Sequence, residues 1–186
     1  MRVTREQAAA NRERIVAIAS TLFRQHGFEG IGVADIMKAA GLTHGGFYGH
    51  FASKEALAAE ACAHATRDAW ASWMDGPPDG RLEQIVRNYL TSRHRDNQAN
   101  GCVFAALGSD VARQPRSVRR AFTERVRAKI DLLRSVVPGR SAAARRDKAL
   151  ATLSGLVGAL ILSRAVDDPV LSDEILEAAA ATLGRP

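Results

Sequence analysis

Residues 33–54 constrain the fold more than any other part of this chain. Their sequence, VADIMKAAGLTHGGFYGHFASK, has two apolar runs of helical spacing separated by a glycine. The first run spaces its apolar residues three and four apart, as the buried face of a short helix requires: Val33, Ile36, Met37 and Ala40. Gly41 can adopt the left-handed backbone that ends a helix, and Leu42 can fold back onto the helix end. The pattern predicts a short helix that ends in a tight turn.

The residues after the turn predict a second short helix. Thr43 can cap it, because a threonine hydroxyl accepts a hydrogen bond from a backbone amide two or three residues ahead. Phe47 and Phe51 would point inward together, while His44 and Tyr48 stay outside. Two short helices joined by a glycine turn are typical of a helix-turn-helix, whose second helix enters the major groove of DNA. The same pattern also fits an ordinary helical hairpin in a bundle.

A wider block, residues 12–57, favours the helix-turn-helix. It contains the LF pair at Leu22 and Phe23, an HGF turn, the pair at Asp35 and Ile36, and then AGL, FY-HF and SKEAL. This block resembles the N-terminal domain of TetR-family transcriptional regulators. The resemblance implies an all-α fold of about nine helices. A three-helix DNA-binding domain would occupy residues 1–53, and a helical ligand-binding and dimerisation domain would occupy residues 54–186.

The resemblance also implies which residues meet double-stranded DNA, in a segment from 43 to 54 that we call the recognition segment. His44 would contact base edges, with Thr43 near a base or a phosphate, because an imidazole can donate to or accept from a base. The backbone amides of Gly45 and Gly46 would approach the DNA closely. Phosphates would be held by the three remaining side chains: Tyr48, His50 and Lys54.

Glycines mark where this chain departs from the family pattern. The family often has Ser or Thr at position 46, a larger residue at 49, and a Ser or Thr cap at position 32, where this chain has glycine. Each glycine inside a helix costs roughly 0.8 to 1 kcal/mol relative to alanine. We therefore expect the packing of Phe47 and Phe51 to hold the recognition segment in place, with full ordering on DNA.

The same glycines do not predict a nucleotide-binding loop. The chain has no G-x-x-x-x-G-K-[ST] pattern, and no apolar strand precedes the glycines. Metal and hydrolase chemistry is the rival from another class, but H-E-x-x-H, C-x-x-C and G-x-S-x-G patterns do not occur. We predict no catalytic residue, no metal site and no cofactor. A helical adaptor without DNA binding is the other alternative, because Gly46 and Gly49 remove side-chain contacts.

Composition agrees with a helical protein. Of the 186 residues 46% are hydrophobic, only six are proline, and strand-like alternation is almost absent. The longest apolar stretch, residues 149–162, contains Thr152, Ser154 and two glycines and is too short to span a bilayer. We predict no signal or membrane segment and a cytoplasmic protein.

The positive charge lies away from the predicted DNA-binding domain. The net charge is +6, yet residues 1–55 carry seven Lys and Arg against five Asp and Glu. Residues 113–148 carry twelve against three. We interpret the basic segment as a solvated helical face, so that the overall basicity gives only weak support to DNA binding.

Capping and breaking residues predict the remaining helices. Thr4 and Gln7 have capping-box spacing, so a long first helix should begin near Arg5 and end at His26 and Gly27. Ser53 should cap a helix that runs to about Met74 and breaks at GPPDG, residues 76–80. Proline-containing breaks then delimit five further helices: 81–97, 102–112, 115–137, 142–166 and 169–184.

The last two predicted helices are unusually apolar. Their faces carry Leu150, Leu153, Leu156, Val157, Leu160 and Ile161, then Leu171, Ile175, Leu176, Ala179 and Leu183. Gly155, Ala159 and Ser163 would allow close helix packing. These helices could complete the monomer core. The family resemblance favours a homodimer in which both chains contribute them to a four-helix interface, as a palindromic operator requires.

The regulatory domain is expected to bind an unknown small-molecule effector, as in the family. Candidate lining residues are the aromatic ones, each of which could equally be core: Trp70, Trp73, Tyr89, Phe104 and Phe122. Cys102 lies at the predicted start of a helix, where the helix dipole should lower its pKa and favour the thiolate. Some TetR-like regulators with a Gly-Cys pair at a similar point sense oxidants or electrophiles. A small buried hydrophobe is the alternative role for Cys102.

Overall fold

The computed structural model describes residues 4–64 and 80–185, and within these ranges every regular element is helical. The elements are α1 (Arg5–His26), α2 (Val33–Ala39), a 3₁₀ helix (His44–Gly49), α3 (Lys54–His64), α4 (Arg81–Tyr89), α5 (Ser92–Asp96), α6 (Val103–Val111), α7 (Arg116–Arg134), α8 (Ala142–Ala165) and α9 (Pro169–Leu183). The predicted all-α class is confirmed, and about nine helices is the right count for the described ranges.

Side-chain caps explain where several helices begin. The Thr4 hydroxyl accepts from the Gln7 amide at 3.1 Å, and the Ser53 hydroxyl accepts from the Ala56 amide at 3.2 Å, as predicted. α1 ends at Gly27, whose φ is 72°. The predicted end of the fourth helix at Met74 lies outside the described residues, as does most of the predicted break at 76–80.

The prediction of one continuous helix over 81–97 is wrong. α4 ends at Tyr89, and a new helix, α5, begins at Ser92. The Thr91 hydroxyl caps α5 by accepting from the His94 amide at 3.1 Å. The His94 ring is also hydrogen-bonded to the Tyr89 carbonyl, at the last residue of α4. A local cap and a side-chain bond thus replace the helical hydrogen bonds at this corner.

The N-terminal unit is built around α1, which packs against α2, α3 and α6. Its inward stripe of Ile15, Ala19 and Phe23 is fully buried. Ile36 and Met37 of α2 are equally buried, as their spacing predicts. This core continues without a gap into the C-terminal helices. α1 is therefore shared between the two halves of the molecule.

α8 and α9 form a closely packed hairpin. A Cβ atom on Gly155 would lie only 2.9 Å from a methyl of Leu183, so the Leu183 side chain packs into the space that this glycine leaves free. The Ser172 hydroxyl donates to the Ser163 carbonyl at 2.6 Å. The close packing predicted at Gly155 and Ser163 is confirmed.

The hairpin leaves large apolar side chains exposed. These are Leu150, Ile161 and Leu162 on α8 and Val170 and Leu171 on α9. α8 is also the one described helix that is long and apolar enough to cross a membrane by length and composition, with a mean hydropathy of 1.3. It packs against α6, α7 and α9 as a core helix does, and a single helix of this kind is weak evidence for a membrane span.

Candidate nucleic-acid interface and the Cys102 cluster

The turn after α2 has the predicted geometry. Gly41 has a φ of 69°, in the left-handed region. The Gly41 amide donates to the Lys38 carbonyl at 3.0 Å, and the Leu42 amide donates to the Met37 carbonyl at 2.9 Å. These two bonds satisfy carbonyls that the helix end would leave unpaired. The turn therefore fixes the direction in which the chain enters the recognition segment.

The second helix forms, but as a 3₁₀ helix without a side-chain cap. The predicted hydroxyl cap at Thr43 is wrong, because only the Thr43 carbonyl engages the first turn, accepting from the Gly46 amide at 3.0 Å. The His50 amide donates to the Phe47 carbonyl at 2.9 Å, another bond three residues apart. Gly45, Gly46 and Gly49 have weak α-helical propensity, which accounts for a short 3₁₀ helix at this position.

An aromatic stack holds the recognition segment against the domain. Phe47 and Phe51 are buried, and their ring centroids are 5.6 Å apart with planes 28° apart, as the prediction that both point inward requires. The guanidinium carbon of Arg12, on α1, lies 4.6 Å from the Phe51 ring centroid. Arg12 also pairs with Glu60 of α3, which raises the pKa of the guanidinium. The ion pair and the stack connect α1, α3 and the recognition segment.

The predicted DNA-contact residues lie together on the outer side of this stack. Tyr48 is 68% exposed, and its ring meets the edges of His44 and Phe47 at centroid distances of 6.3 and 5.3 Å. Thr43, Gly45 and Gly46 are exposed, while His50 and Lys54 are half-buried. A Cβ atom on Gly45 would meet nothing within 4 Å. The space beside the Gly45 backbone is therefore open.

A second polar site surrounds Cys102, the residue that precedes α6. The Cys102 amide donates to His94 Nε2 at 3.0 Å, and His94 Nδ1 lies 2.7 Å from the Tyr89 carbonyl. Since Nε2 accepts, Nδ1 carries the proton and the imidazole is neutral. Burial agrees with this assignment because it lowers the pKa of His94. The histidine thus ties the end of α4 to the start of α6.

The expectation of a lowered Cys102 pKa is wrong. Burial disfavours the thiolate and raises the pKa of the Cys102 thiol. The Tyr89 hydroxyl, the amides of Phe104 and Ala105, and the charge of Arg164 act in the opposite direction but are weaker. The helix N-terminus contributes as the sequence suggested, yet desolvation outweighs it. Cys102 is a protonated thiol at neutral pH.

Basic side chains surround this cysteine. Arg164 of α8 donates from Nε to the Arg95 carbonyl at 2.9 Å and from Nη2 to the His94 carbonyl at 2.8 Å. Lys129 of α7 is buried, and desolvation lowers its pKa to about 8. Arg24 of α1 also interacts electrostatically with Cys102. The cluster therefore provides a thiol, a neutral imidazole and cationic groups in one partly buried site.

The sequence identified only part of this cluster. Tyr89, a candidate lining residue, is fully buried beside Cys102. Phe104 and Phe122 meet edge to face with ring centroids 5.3 Å apart, while Trp70 and Trp73 lie outside the described residues. The residues that sequence reasoning missed, Arg24, His94, Lys129 and Arg164, come from four different helices. A local pattern could not find them because the fold alone brings them together.

Comparison with known proteins agrees with this geometry. The family model described as "Bacterial regulatory proteins, tetR family" matches residues 15–61, which include most of α1, all of α2 and the 3₁₀ helix, and most of α3. Residues 15–61 thus match the TetR family. The match ends within α3, so it concerns the N-terminal unit and the recognition segment.

The curated relatives of this chain are transcriptional regulators. The HTH-type transcriptional repressor NemR of Escherichia coli K12 is 27% identical over 128 residues, which make up 66% of this chain and 64% of the relative. The matched segment thus spans less than two thirds of that relative's length. KstR2, an HTH-type transcriptional repressor of Mycolicibacterium smegmatis, is 37% identical over 83 residues, 45% of this chain and 36% of the relative.

Solved TetR-family structures have the same fold over nearly the whole chain. The reduced form of E. coli NemR gives a TM-score of 0.72 at 23% identity, covering 94% of this chain and 95% of that one. A regulator from Chloroflexus aurantiacus gives 0.78 at 24% identity, with 96% and 94% covered. AibR, solved with isovaleryl coenzyme A and operator DNA, gives 0.65 at 16% identity, with 95% and 99% covered.

Proposed function

We propose that this chain is a dimeric DNA-binding transcriptional repressor of the TetR family, which acts in the cytoplasm and releases a palindromic operator when an effector occupies its regulatory half. The observation that carries the proposal is the recognition segment. Its buried Phe47–Phe51 stack directs His44, Tyr48 and the open glycine backbone outward, within the part of the chain that matches the family. The DNA-binding domain would be residues 1–53 and the regulatory and dimerisation domain residues 54–186.

Each predicted DNA contact has a distinct chemical role. The His44 ring would discriminate bases, because it can donate to or accept from a base edge, with Thr43 close by. The backbone at Gly45 and Gly46 would approach the DNA closely, because no Cβ atom intervenes; of the two amides, that of Gly46 already donates to the Thr43 carbonyl. Tyr48, His50 and Lys54 would hold phosphates and fix the orientation of the protein on the duplex. In AibR, the related fold was solved with operator DNA bound.

The exposed apolar side chains of α8 and α9 support a homodimer. Leu162 is 56% exposed and Val170 is 68% exposed, on neighbouring helices of one hairpin. A second copy of the hairpin would cover these residues in a four-helix interface with two-fold symmetry. Such symmetry matches the two half-sites of a palindromic operator.

The Cys102 cluster is the candidate sensor. A half-buried thiol beside a phenol, an imidazole and cationic groups could be modified by an electrophile, and the charged groups would favour the thiolate once water or a ligand relieves its desolvation. Tyr89, Phe104 and Phe122, with Trp70 and Trp73, are the proposed aromatic lining of the effector site. A similar fold is known for NemR in a structure described as its reduced form.

Fluorescence anisotropy with DNA from upstream of the protein's own gene tests this proposal. We expect saturable binding that competing nonspecific DNA does not abolish, and release after treatment with N-ethylmaleimide. Cys102→Ser should bind the DNA but no longer respond to the reagent, whereas Cys62→Ser should respond as the wild type does. Burial raises the pKa of Cys62 to about 12, so that this thiol should react slowly. A helical adaptor would show no specific binding, and unchanged release from Cys102→Ser would remove the sensor role.

A further inference from the structure

The last turn of α1 contacts the regulatory half through a buried arginine. Arg24 is only 6% exposed, and its Nε donates to the Ala99 carbonyl at 2.6 Å. Its Nη1 donates to the Ser20 hydroxyl at 2.7 Å, which fixes the guanidinium against its own helix. Burial lowers the pKa of Arg24, so the contact takes a charged group out of water and depends on these partners. Ala99 lies three residues before Cys102.

A second contact joins the same turn of α1 to the other end of α6. A Cβ atom on Gly27 would lie 2.5 Å from a carboxylate oxygen of Asp110, in the last turn of α6. A side chain at position 27 would require the Asp110 carboxylate to move, and the φ of 72° at Gly27 also favours glycine. The end of α1 therefore lies next to the residues just before α6 and next to the last turn of α6. A displacement of α6 would change both of these contacts.

The connection before α6, residues 91–102, is also fixed from the C-terminal hairpin. Arg164 of α8 holds the carbonyls of His94 and Arg95. Arg95 in turn donates to Ser172 at 2.8 Å and to Asp173 at 2.6 Å, both on α9. Residues 91–102 thus link α8, α9 and Cys102 to Arg24. We call this stretch the coupling segment.

The other part of α1 reaches the recognition segment. Arg12 lies twelve positions before Arg24 on the same uninterrupted helix, a rise of roughly 18 Å. Its guanidinium covers the Phe51 ring, which stacks on Phe47 beneath the exposed recognition residues. One rigid helix therefore contacts the coupling segment near its end and the recognition segment near its start.

We propose that Arg24 is the positioning residue that couples the Cys102 cluster to the recognition segment. Modification or occupancy of the cluster displaces the coupling segment, the Arg24 to Ala99 hydrogen bond carries that displacement to α1, and α1 tilts the Phe51 stack. The inference rests on the proposed function, because it names how the regulatory half reaches the DNA-binding half. Coupling is reciprocal, so DNA bound at the recognition segment must in turn stabilise the coupling segment.

Hydrogen exchange of the full chain, with and without its own upstream DNA, tests the coupling without a known effector. In the wild type we expect DNA to slow exchange in residues 43–54 and also in residues 97–102, by about fivefold or more, the low end of allosteric couplings. In Arg24→Gln the slowing in 43–54 should persist, while the slowing in 97–102 should disappear. Arg24→Lys keeps the charge but lacks the Nε donor, and it should lose most of the response.

A matched control separates coupling from general loosening. Arg125 of α7 also donates to a backbone carbonyl of another helix, that of Ala63 in α3, which lies outside the coupling segment. Arg125→Gln should keep the DNA response in 97–102. The inference is overturned if DNA still slows exchange in residues 97–102 of both Arg24 variants, or if Arg125→Gln loses this slowing as the Arg24 variants do. It is also overturned if DNA slows exchange in residues 43–54 of the wild type but leaves residues 97–102 unchanged. If Arg24→Gln does not fold, Arg24→Lys decides the outcome. A wild type with no protection in 43–54 refutes the proposed function itself.

Discussion

The recognition segment and the Cys102 cluster hold their functional groups in opposite ways. In the recognition segment two stacked rings support a glycine-rich 3₁₀ helix, and the side chains of His44 and Tyr48 are exposed. Around Cys102, hydrogen bonds from several helices fix a partly buried polar site. The first arrangement leaves room for the large partner that we propose. The hydrogen-bonded site around Cys102 would keep its geometry until a ligand or a modification breaks these bonds, as a regulatory switch requires.

The largest expected effect is on the aromatic support of the recognition segment. Phe47→Ala should reduce the free energy of unfolding by about 3–5 kcal/mol, because a large buried ring is lost. Phe104→Ala, at a similarly buried position in the regulatory half, should cause a comparable loss. Urea denaturation measures both. The DNA affinity of the folded fraction should fall only for Phe47→Ala. An equal fall for Phe104→Ala would show that the Phe47 ring has no specific role in supporting the recognition segment.

A smaller effect concerns the buried amine near Cys102. Lys129 has a pKa of about 8 in the folded protein against an ordinary value of 10.5. Between these values the unfolded chain binds more protons than the folded one, so the free energy of unfolding should rise with pH over this window. Lys129→Met should remove that rise and be more stable than the wild type at neutral pH. Denaturation at pH values on both sides of 8 measures the free energy of unfolding of the wild type and of Lys129→Met. If both proteins had the same pH dependence, the pKa of Lys129 would not be lowered in the folded protein.

The smallest effects distinguish two glycines, one before the recognition segment and one within it. Gly49 has no positive φ, and a Cβ atom there meets nothing within 4 Å, so Gly49→Ala should stabilise the protein by about 0.4–1 kcal/mol. Gly41 has a φ of 69°, so Gly41→Ala should destabilise it by about 1 kcal/mol. Calorimetry can compare the two variants. If both substitutions changed the stability in the same direction, backbone conformation would not determine the effect of these glycines.

Local patterns predicted the N-terminal unit well because its determinants are close in sequence. The turn at Gly41, the cap at Thr4 and the inward pair Phe47 and Phe51 each depend on residues within a few positions. The 3₁₀ form of the second helix was missed, although the same glycines gave its signal. The break at Thr91 was missed because a hydroxyl cap there competes with the apolar periodicity of α4.

The direction of the Cys102 pKa shift was mispredicted because one local feature was weighed without its surroundings. A helix N-terminus does favour a thiolate, and the amides of Phe104 and Ala105 contribute as expected. Burial depends on helices far away in sequence, and it reverses the sign of the pKa shift. The roles of Arg24 and Arg164 carry no local signal, since the backbone carbonyls that they bind near Cys102 lie 75 and about 70 residues away.

The most direct test of the account is a binding titration on the recognition segment itself, with Lys54→Ala and His44→Ala against a set of operator variants and salt concentrations. Lys54→Ala should weaken binding to every variant and reduce the slope of log K against log salt by about one unit per protomer, because one phosphate contact is lost. His44→Ala should leave the slope unchanged and alter the order of preference among the variants. Equal losses across all operator variants for both substitutions would contradict the assignment of base recognition to His44 and phosphate binding to Lys54.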